Sequence, residues 1–371
     1  MSHATCPYSS RPDNAFWKRV VAGVSPADVS PVTPPPFRIT KSDKVATAGS
    51  CFAQHIARYL KGAGVEPFVT ERAPTIVDAE TAQEYQYGVY SARYGNVYTT
   101  RQLLQLFDRA FGTFTPTDTA WTRNGRFFDP YRPSVQPEGF ASLEELELDR
   151  QQHLRRVRRM FEELDVFVYT LGLTEAWLNK VDGAVYPVCP GCGWGEFDPD
   201  LHGFVNFSVT EVDHDLNAFL LRLRSINPAA KVILTVSPVP LAATAENRHV
   251  LESTVLSKSV LRVAADQIQR RHEGVAYFPS YEIITGAFNR GAYYDTDLRT
   301  VLPTGVEHVM RTFFAACLPE VAFRPIRKQE TAAVSVPVAS TFSPSTAPAA
   351  ASERMVDLIC EEDELDPAGK E

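Results

Sequence analysis

Apolar residues in the middle of the chain fall into short runs separated by stretches with helical spacing. Five runs read as buried strands: 44–48, 65–70, 165–171, 231–236 and 275–279. Between them, apolar residues recur every three or four positions, as on one face of a helix. Strands that alternate with helices predict an α/β fold, a three-layer, doubly wound parallel sheet of about five strands.

The helices are bounded by recognisable signals. Ser142 and Glu145 form a capping-box pattern that opens a helix ending near Glu163. Pro303 suits the first turn of the last helix. The predicted helices span residues 52–63, 100–111, 142–163, 211–223, 246–272 and 303–317.

The two ends of the chain differ in composition from the middle. Residues 1–36 include a proline-rich, extended stretch at 25–36, and we take them as a lead-in to one domain at 37–327. From 328 to 371, Ala, Ser, Thr and Pro dominate and an acidic run follows at Glu361–Glu364, which predicts a disordered tail. Within it, residues 353–359 can form a transient amphipathic turn or a docking motif, or be a plain part of the tail.

Composition and charge argue against some classes of function. The 371 residues are 44% hydrophobic, enough for a large buried core, and the formal net charge is −8. An acidic chain without a long basic stretch is a poor nucleic-acid ligand. No run of 18 apolar residues is present, and residues 1–13 lack an apolar signal core. We expect a cytoplasmic protein that acts on a small molecule or carbohydrate, with neither a nucleic-acid nor a membrane partner.

Polar clusters follow four of the predicted strands. They are 49–51, 172–175, 237–240 and 280–282. The carboxyl ends of parallel strands meet at one edge of a sheet, where open α/β sheets bind their ligands. The clusters therefore predict an active site at that edge.

Cys51 lies between a predicted strand and a predicted helix. Unpaired N–H groups at a helix N-terminus favour the reactive thiolate, and the Cys51 N–H can serve as an oxyanion donor. His55 follows one helical turn later and can act as a base. Both residues can equally be packed core residues, since buried cysteines and capping histidines are common.

Several motifs carry a family resemblance over roughly residues 7–325. The chain resembles the bacterial-type GSCFA family, whose name matches Gly49-Ser-Cys-Phe-Ala53. The other matching segments are 88–98, 170–177, 204–208, 236–240, 248–251, 257–262 and 277–282.

The resemblance implies an SGNH (GDSL-like) hydrolase architecture, which is flavodoxin-like, with Cys51 at the nucleophile position. It implies that Gly95, or alternatively Gly88, lines the oxyanion hole. In the motif that carries the second oxyanion donor, Gly172 is retained and Thr174 replaces the usual asparagine, although its hydroxyl can still donate at shorter reach. Asn96 can supply the missing amide.

The last sequence motif of that architecture carries an aspartate and a histidine. Asp297 fits the aspartate, but Thr300 stands at the histidine position. The base therefore stays open among His249, His55 and the more distant His308.

Other groups of residues give weaker evidence of function. Cys189 and Cys192 have redox or zinc-knuckle spacing, but no second pair completes a metal site, and we expect a loop without metal or cofactor. Trp177 and Trp194 can line a sugar-binding wall or pack in the core.

The sequence thus predicts an acyl-ester hydrolase or acyltransferase with a cysteine nucleophile, acting on an acylated carbohydrate or glycoconjugate. The alternative is a ligand-binding pseudoenzyme that has lost its catalytic histidine.

Overall fold

The computed structural model describes residues 6–325 and 361–365. Its strands are β1 (Val45–Gly49), β2 (Trp121–Arg123), β3 (Arg126–Phe128), β4 (Val166–Leu171), β5 (Glu175–Asn179), β6 (Val185–Tyr186), β7 (His202–Asn206), β8 (Lys231–Val236) and β9 (Val275–Tyr277). Its α-helices are α1 (Ala53–Gly62), α2 (Ala79–Glu84), α3 (Thr100–Phe111), α4 (Leu143–Glu163), α5 (Val209–Ile226), α6 (Val250–Arg271), α7 (Ser280–Thr285) and α8 (Pro303–Cys317).

The central sheet is parallel and has the strand order β1-β4-β8-β9. Alternate residues of β4 enter two different cores, because side chains along a strand point to opposite faces. Val166 and Val168 pack with α1 and α8 on one face. Phe167 and Tyr169 pack with α3, α4, α5 and α6 on the other. Helices on both faces of a parallel sheet make the predicted three-layer α/β architecture.

The described part of this sheet has four strands, so the prediction of about five is wrong by one. Residues 65–70, predicted as a strand, run beside β1 without forming a ladder. Phe68 donates to Val45 O at 2.9 Å and Thr70 donates to Ser91 O at 2.8 Å. Pro67 has no N–H to donate, which interrupts the pairing that the apolar pattern suggested.

Two small antiparallel units extend the domain beyond the sequence prediction. Strands β2 and β3 form a hairpin, and β5 pairs with both β6 and β7. The second unit directly follows β4 along the chain. It therefore stands at the carboxyl edge of the central sheet.

Both ends of the described chain contact the domain. In the predicted lead-in, the Val29 carbonyl accepts a hydrogen bond from His308 Nε2 at 2.9 Å. In the predicted disordered tail, Glu361–Leu365 form a short 3-10 helix with buried residues, which differs from that expectation over five positions. Composition misses such docking because it carries no information about a complementary surface. The amphipathic piece at 353–359 lies outside the described residues.

No helix within the described residues has both the length and the apolar character needed to cross a bilayer.

Candidate active site

The turn after β1 places Cys51 through a close approach of two backbones. Gly49 has φ +140°, and a Cβ there would overlap the Thr170 carbonyl oxygen and lie 2.7 Å from Thr170 Cβ. Only glycine fits this combination of dihedral angle and contact. The next residue, Ser50, donates its N–H to Thr170 O at 3.2 Å. Cys51 follows, 3% exposed, just before α1 begins.

Residues from three strand ends line one small cleft around Cys51. Gly172 follows β4 and Ser237 follows β8, and both border the cleft with Cys51. Three of the four predicted polar clusters, at 49–51, 172–175 and 237–240, thus contribute to this cleft, and the cluster at 280–282 does not. Tyr98, Lys258 and Glu362 complete its polar lining.

Lys258 is the residue that sequence reasoning missed. It lies on α6, is 2% exposed, and its Nζ donates to the Gly172 carbonyl at 2.5 Å. Burial lowers its pKa to about 8, although the Glu362 carboxylate and Cys51 act in the opposite direction. An amine with that pKa is partly neutral near pH 8, so it can accept a proton.

The loop before α3 brings Asn96 into the same neighbourhood. The Asn96 Oδ1 accepts a hydrogen bond from Tyr90 OH, and its Nδ2 donates to the Glu361 carboxylate. Tyr90 OH also donates to Ser50 O at 3.0 Å, which ties this loop to the turn that carries Cys51. Gly95 has φ +67°, and a Cβ there would stand 3.4 Å from Glu361 Oε1.

Two residues that were predicted to donate hydrogen bonds to the oxyanion already donate them to other groups. The Gly172 N–H donates to Tyr98 O at 3.0 Å. The Thr174 hydroxyl donates to Asn206 Oδ1 at 2.6 Å, and Thr174 does not border the Cys51 cleft. Gly172 instead permits close packing, since a Cβ there would lie 3.2 Å from Ser50 Cβ.

The three histidines that were predicted as possible bases lie outside the Cys51 cleft. His55 is 2% exposed, packs edge-on against Phe52, and burial lowers its pKa to about 3, so it stays neutral. His249 is exposed and caps α6, where its Nδ1 accepts from Leu251 N–H at 3.1 Å. His308 is bonded to Tyr293 OH at 2.7 Å and to the N-terminal lead-in. None of these histidines borders the Cys51 cleft.

Asp297 and Thr300 form an exposed turn with each other. The Thr300 hydroxyl donates to Asp297 Oδ2 at 2.6 Å, and the Thr300 N–H donates to Asp297 Oδ1 at 2.8 Å. Burial raises the pKa of Asp297, but these hydrogen bonds outweigh it and the net shift is downward. From the same turn, Arg299 extends towards the cleft, and its Nε donates to Pro240 O at 3.3 Å.

A larger cavity adjoins the Cys51 cleft. Tyr98, Leu241 and Glu362 border both. The aromatic side chains of Trp177 and Phe204 line its far part.

Cys189 and Cys192 also line this cavity as free thiols in a turn. Burial and the neighbouring Cys192 raise the pKa of Cys189 to about 12, so its thiol stays protonated at neutral pH. Within residues 6–325 and 361–365, no group of three or more His, Cys, Asp or Glu side chains is placed to hold a metal ion.

Comparison with known proteins gives one family and one distant structure. The sequence profile of the GSCFA family matches residues 44–313. No curated protein matches the chain. Among solved structures, an acetyl xylan esterase (Est2A) from the rumen bacterium Butyrivibrio proteoclasticus is similar at 14% identity and a TM-score of 0.23. The match covers 67% of this chain and 57% of that one. So low a TM-score supports no argument about the fold or the activity.

Proposed function

Because this chain belongs to the GSCFA family, we propose that it is an acyl-ester hydrolase or acyltransferase in which Cys51 is the nucleophile. The observation that carries the proposal is the shared cleft of Cys51 and Lys258 at the carboxyl edge of the sheet. A cysteine needs a partner to take its proton and a donor set for the developing oxyanion. Lys258 supplies the first function in place of the histidine that Thr300 replaces.

The chemistry balances with Lys258 as the proton carrier. Neutral Lys258 Nζ takes the proton of the Cys51 thiol, and the sulfur attacks the acyl carbonyl carbon. The carbonyl electron pair moves to oxygen, and its return expels the alkoxide. The Lys258 ammonium protonates that alkoxide, which leaves an acyl thioester on Cys51. Water, or the hydroxyl of an acceptor, then attacks the thioester carbon while Lys258, neutral again, takes its proton. The carbon–sulfur bond breaks, the acid or the transferred ester leaves, and Lys258 returns the proton to the Cys51 thiolate.

The Cys51 N–H and Asn96 are the donors that we assign to the oxyanion; Asn96 does not border the cleft, and its amide can serve a substrate only after Glu361 has left. Asn96 Nδ2 already donates to a carboxylate oxygen of Glu361, so it faces a position where negative charge can sit. The Cys51 N–H precedes the first turn of α1, where helix dipoles favour anions. Two such donors, held before the reaction, stabilise the tetrahedral intermediate.

The substrate class that we propose is an acylated carbohydrate or glycoconjugate. The support is the cavity beside the cleft, whose lining includes the aromatic side chains of Trp177 and Phe204. A sugar ring stacked there would direct an attached acyl group towards Cys51.

A direct test is capture of the acyl thioester. The full chain is mixed with an aryl acetate, quenched in acid, and the peptide containing Cys51 is analysed by mass spectrometry. We expect an acetyl adduct on that peptide in a Lys258-dependent manner, and none in Cys51→Ala. Cys317→Ala is the matched control, because Cys317 is as buried as Cys51 (2% and 3% exposed) but does not border the cleft.

One observation favours a second candidate, a ligand-binding protein without catalysis. No histidine of residues 6–325 borders the cleft. If Cys51 shows no acyl adduct even when Glu361 and Glu362 are both changed to alanine, so that the cleft is open, the binding function replaces the catalytic one.

A further inference from the structure

Glu361–Leu365 pack against both cavities of the site, since Glu362 borders the Cys51 cleft and Leu365 borders the larger cavity. These residues form a single 3-10 turn, and Glu361 and Glu362 are 2% and 8% exposed. Burial of two adjacent carboxylates is costly unless each finds hydrogen-bond donors or positive charge. The surface that receives them supplies both.

Glu361 is held by neutral donors. Its Oε1 accepts from Ser134 Oγ at 2.6 Å, and its Oε2 accepts from Tyr98 OH at 3.0 Å and from Asn96 Nδ2. Behind them, Gln86 Nε2 donates to Ser134 Oγ at 2.8 Å and orients that hydroxyl. Hydrogen bonds to an ionised acceptor are stronger than neutral ones. We call Asn96, Tyr98 and Ser134 the carboxylate cradle.

Glu362 and Asp363 meet positive charge instead. Arg299 lies 3.4 Å from Glu362 Oε2 through Nη2 and 2.7 Å from Asp363 Oδ1 through Nη1. Burial raises the pKa of Glu362, and Arg299 and Lys258 oppose that shift. Glu362 borders the cleft together with Cys51, so its carboxylate stands where a ligand would enter.

Leu365 fills part of the neighbouring apolar cavity. It packs with the cluster that contains Tyr186 and Val188, and it borders the cavity lined by Trp177. The segment therefore matches the site along its length, with acidic residues over the polar cleft and an apolar residue in the aromatic cavity.

From this match we propose that the carboxylate cradle, which shares Tyr98 with the Cys51 cleft, is a binding site for carboxylate-bearing ligands, and that Glu361–Leu365 is a built-in competitor for it. The carboxylate cradle recognises an acid group of the ligand, and the segment must leave before that ligand enters. The assignment of the cleft as the substrate site rests on the proposed function. The observation that a carboxylate occupies the cradle does not depend on the proposed function.

Binding in trans tests the proposal. The probe is a fluorescein-labelled synthetic peptide of residues 356–371 with Cys360→Ser, measured by fluorescence anisotropy against the full chain. All proteins carry Cys51→Ala, so that failure of the chemistry does not affect the result. We expect the probe to bind Glu361→Ala/Glu362→Ala at least about tenfold more tightly than the otherwise unchanged chain, whose own segment fills the site.

Adding Ser134→Ala to that variant should weaken binding of the probe at least about fivefold, because a hydrogen bond to a charged group is lost. Ser42→Ala, at an exposed serine that borders neither the Cys51 cleft nor the larger cavity, is the matched control and should change nothing. A probe with Glu361→Gln and Glu362→Gln should not bind.

Equal binding to the occupied and the opened chain, or binding to neither, overturns the proposal. Tight probe binding that does not depend on Ser134 also overturns it, because the cradle is then not the site. If the double variant does not fold, as judged by circular dichroism, the isosteric Glu361→Gln is compared in the same way. The binding assay and the thioester-capture test can give different answers. If the probe binds as expected but the chain with Cys51 intact forms no acyl adduct, the enzymatic function is wrong and this proposal stands.

Discussion

Lys258 and Glu362 lie in the same buried cleft as Cys51, and each opposes the effect of burial on the other's pKa. Burial lowers the pKa of Lys258 and raises that of Glu362, whereas their opposite charges act in the reverse direction. Burial has the larger effect on each. Both groups are therefore shifted towards their neutral forms, which suits proton transfer better than a fixed ion pair does.

The first prediction concerns the pH dependence of turnover. If neutral Lys258 takes the thiol proton, Cys51-dependent hydrolysis of an aryl acetate rises with pH through about 8, the pKa of Lys258. Glu362→Gln removes a negative charge that raises this pKa, so the midpoint should move to lower pH. Rates between pH 5 and 10 provide the measurement, with exposed Glu320→Gln as the control. A midpoint that stays in place with Glu362→Gln would show that another group titrates.

The second prediction concerns the identity of the proton carrier. Lys258→Met should lower turnover by roughly 10²–10⁴-fold, the usual contribution of general acid–base catalysis. Lys258→Arg keeps the charge but removes the acceptor, so it should be nearly as inactive. Circular dichroism provides a separate readout of folding. If Lys258→Arg retains most of the activity, the side chain acts through its charge alone.

The third prediction concerns the tail. A chain that ends at residue 328 should still melt cooperatively, because both hydrophobic cores of the central sheet lie within residues 37–325. Removal of Glu361–Leu365 also uncovers the cleft. We therefore expect iodoacetamide to label Cys51 at least about tenfold faster than in the full chain, as quantified by peptide mass spectrometry. A non-cooperative melt would make the tail part of the fold.

The fourth prediction concerns the turn that positions Cys51. Gly49→Ala should destabilise the protein by about 3 kcal/mol or more, because a new Cβ must displace Thr170 on the neighbouring strand. Gly112→Ala is the matched control. It also has a positive φ, +74°, but a Cβ there meets nothing within 4 Å, so about 1 kcal/mol of strain is expected. Urea unfolding measures both, and similar losses would mean that strain alone, not the clash, fixes Gly49.

Local signals predicted the regular elements well. The helix at 100–111 was predicted at its observed bounds, and Thr99 and Gln102 form a full capping box there. The strand at 231–236 and the helix that opens at Pro303 also match. In each case the information lies within a few residues of the boundary. The error at 65–70 arose because the apolar pattern was followed across Pro67, which has no N–H to pair with the neighbouring strand β1.

The candidate site was less accessible to sequence reasoning. Lys258 is preceded by Ser257 and followed by Leu261 and Ala265, which are buried on the same helix. A lysine on the apolar face of an amphipathic helix was the available signal for a buried amine. The docking of Glu361 had no such signal, because its donors come from loops more than two hundred residues away in the sequence.

The segment over the cleft belongs to the same chain as the cleft. Its release and return are therefore first-order events, and the occupied fraction does not depend on protein concentration. Dilution from a crowded cell into a nanomolar assay removes a bound metabolite, but it leaves Glu361–Leu365 in place. An assay of the intact chain that shows no turnover thus reports on this internal equilibrium as much as on the reactivity of Cys51.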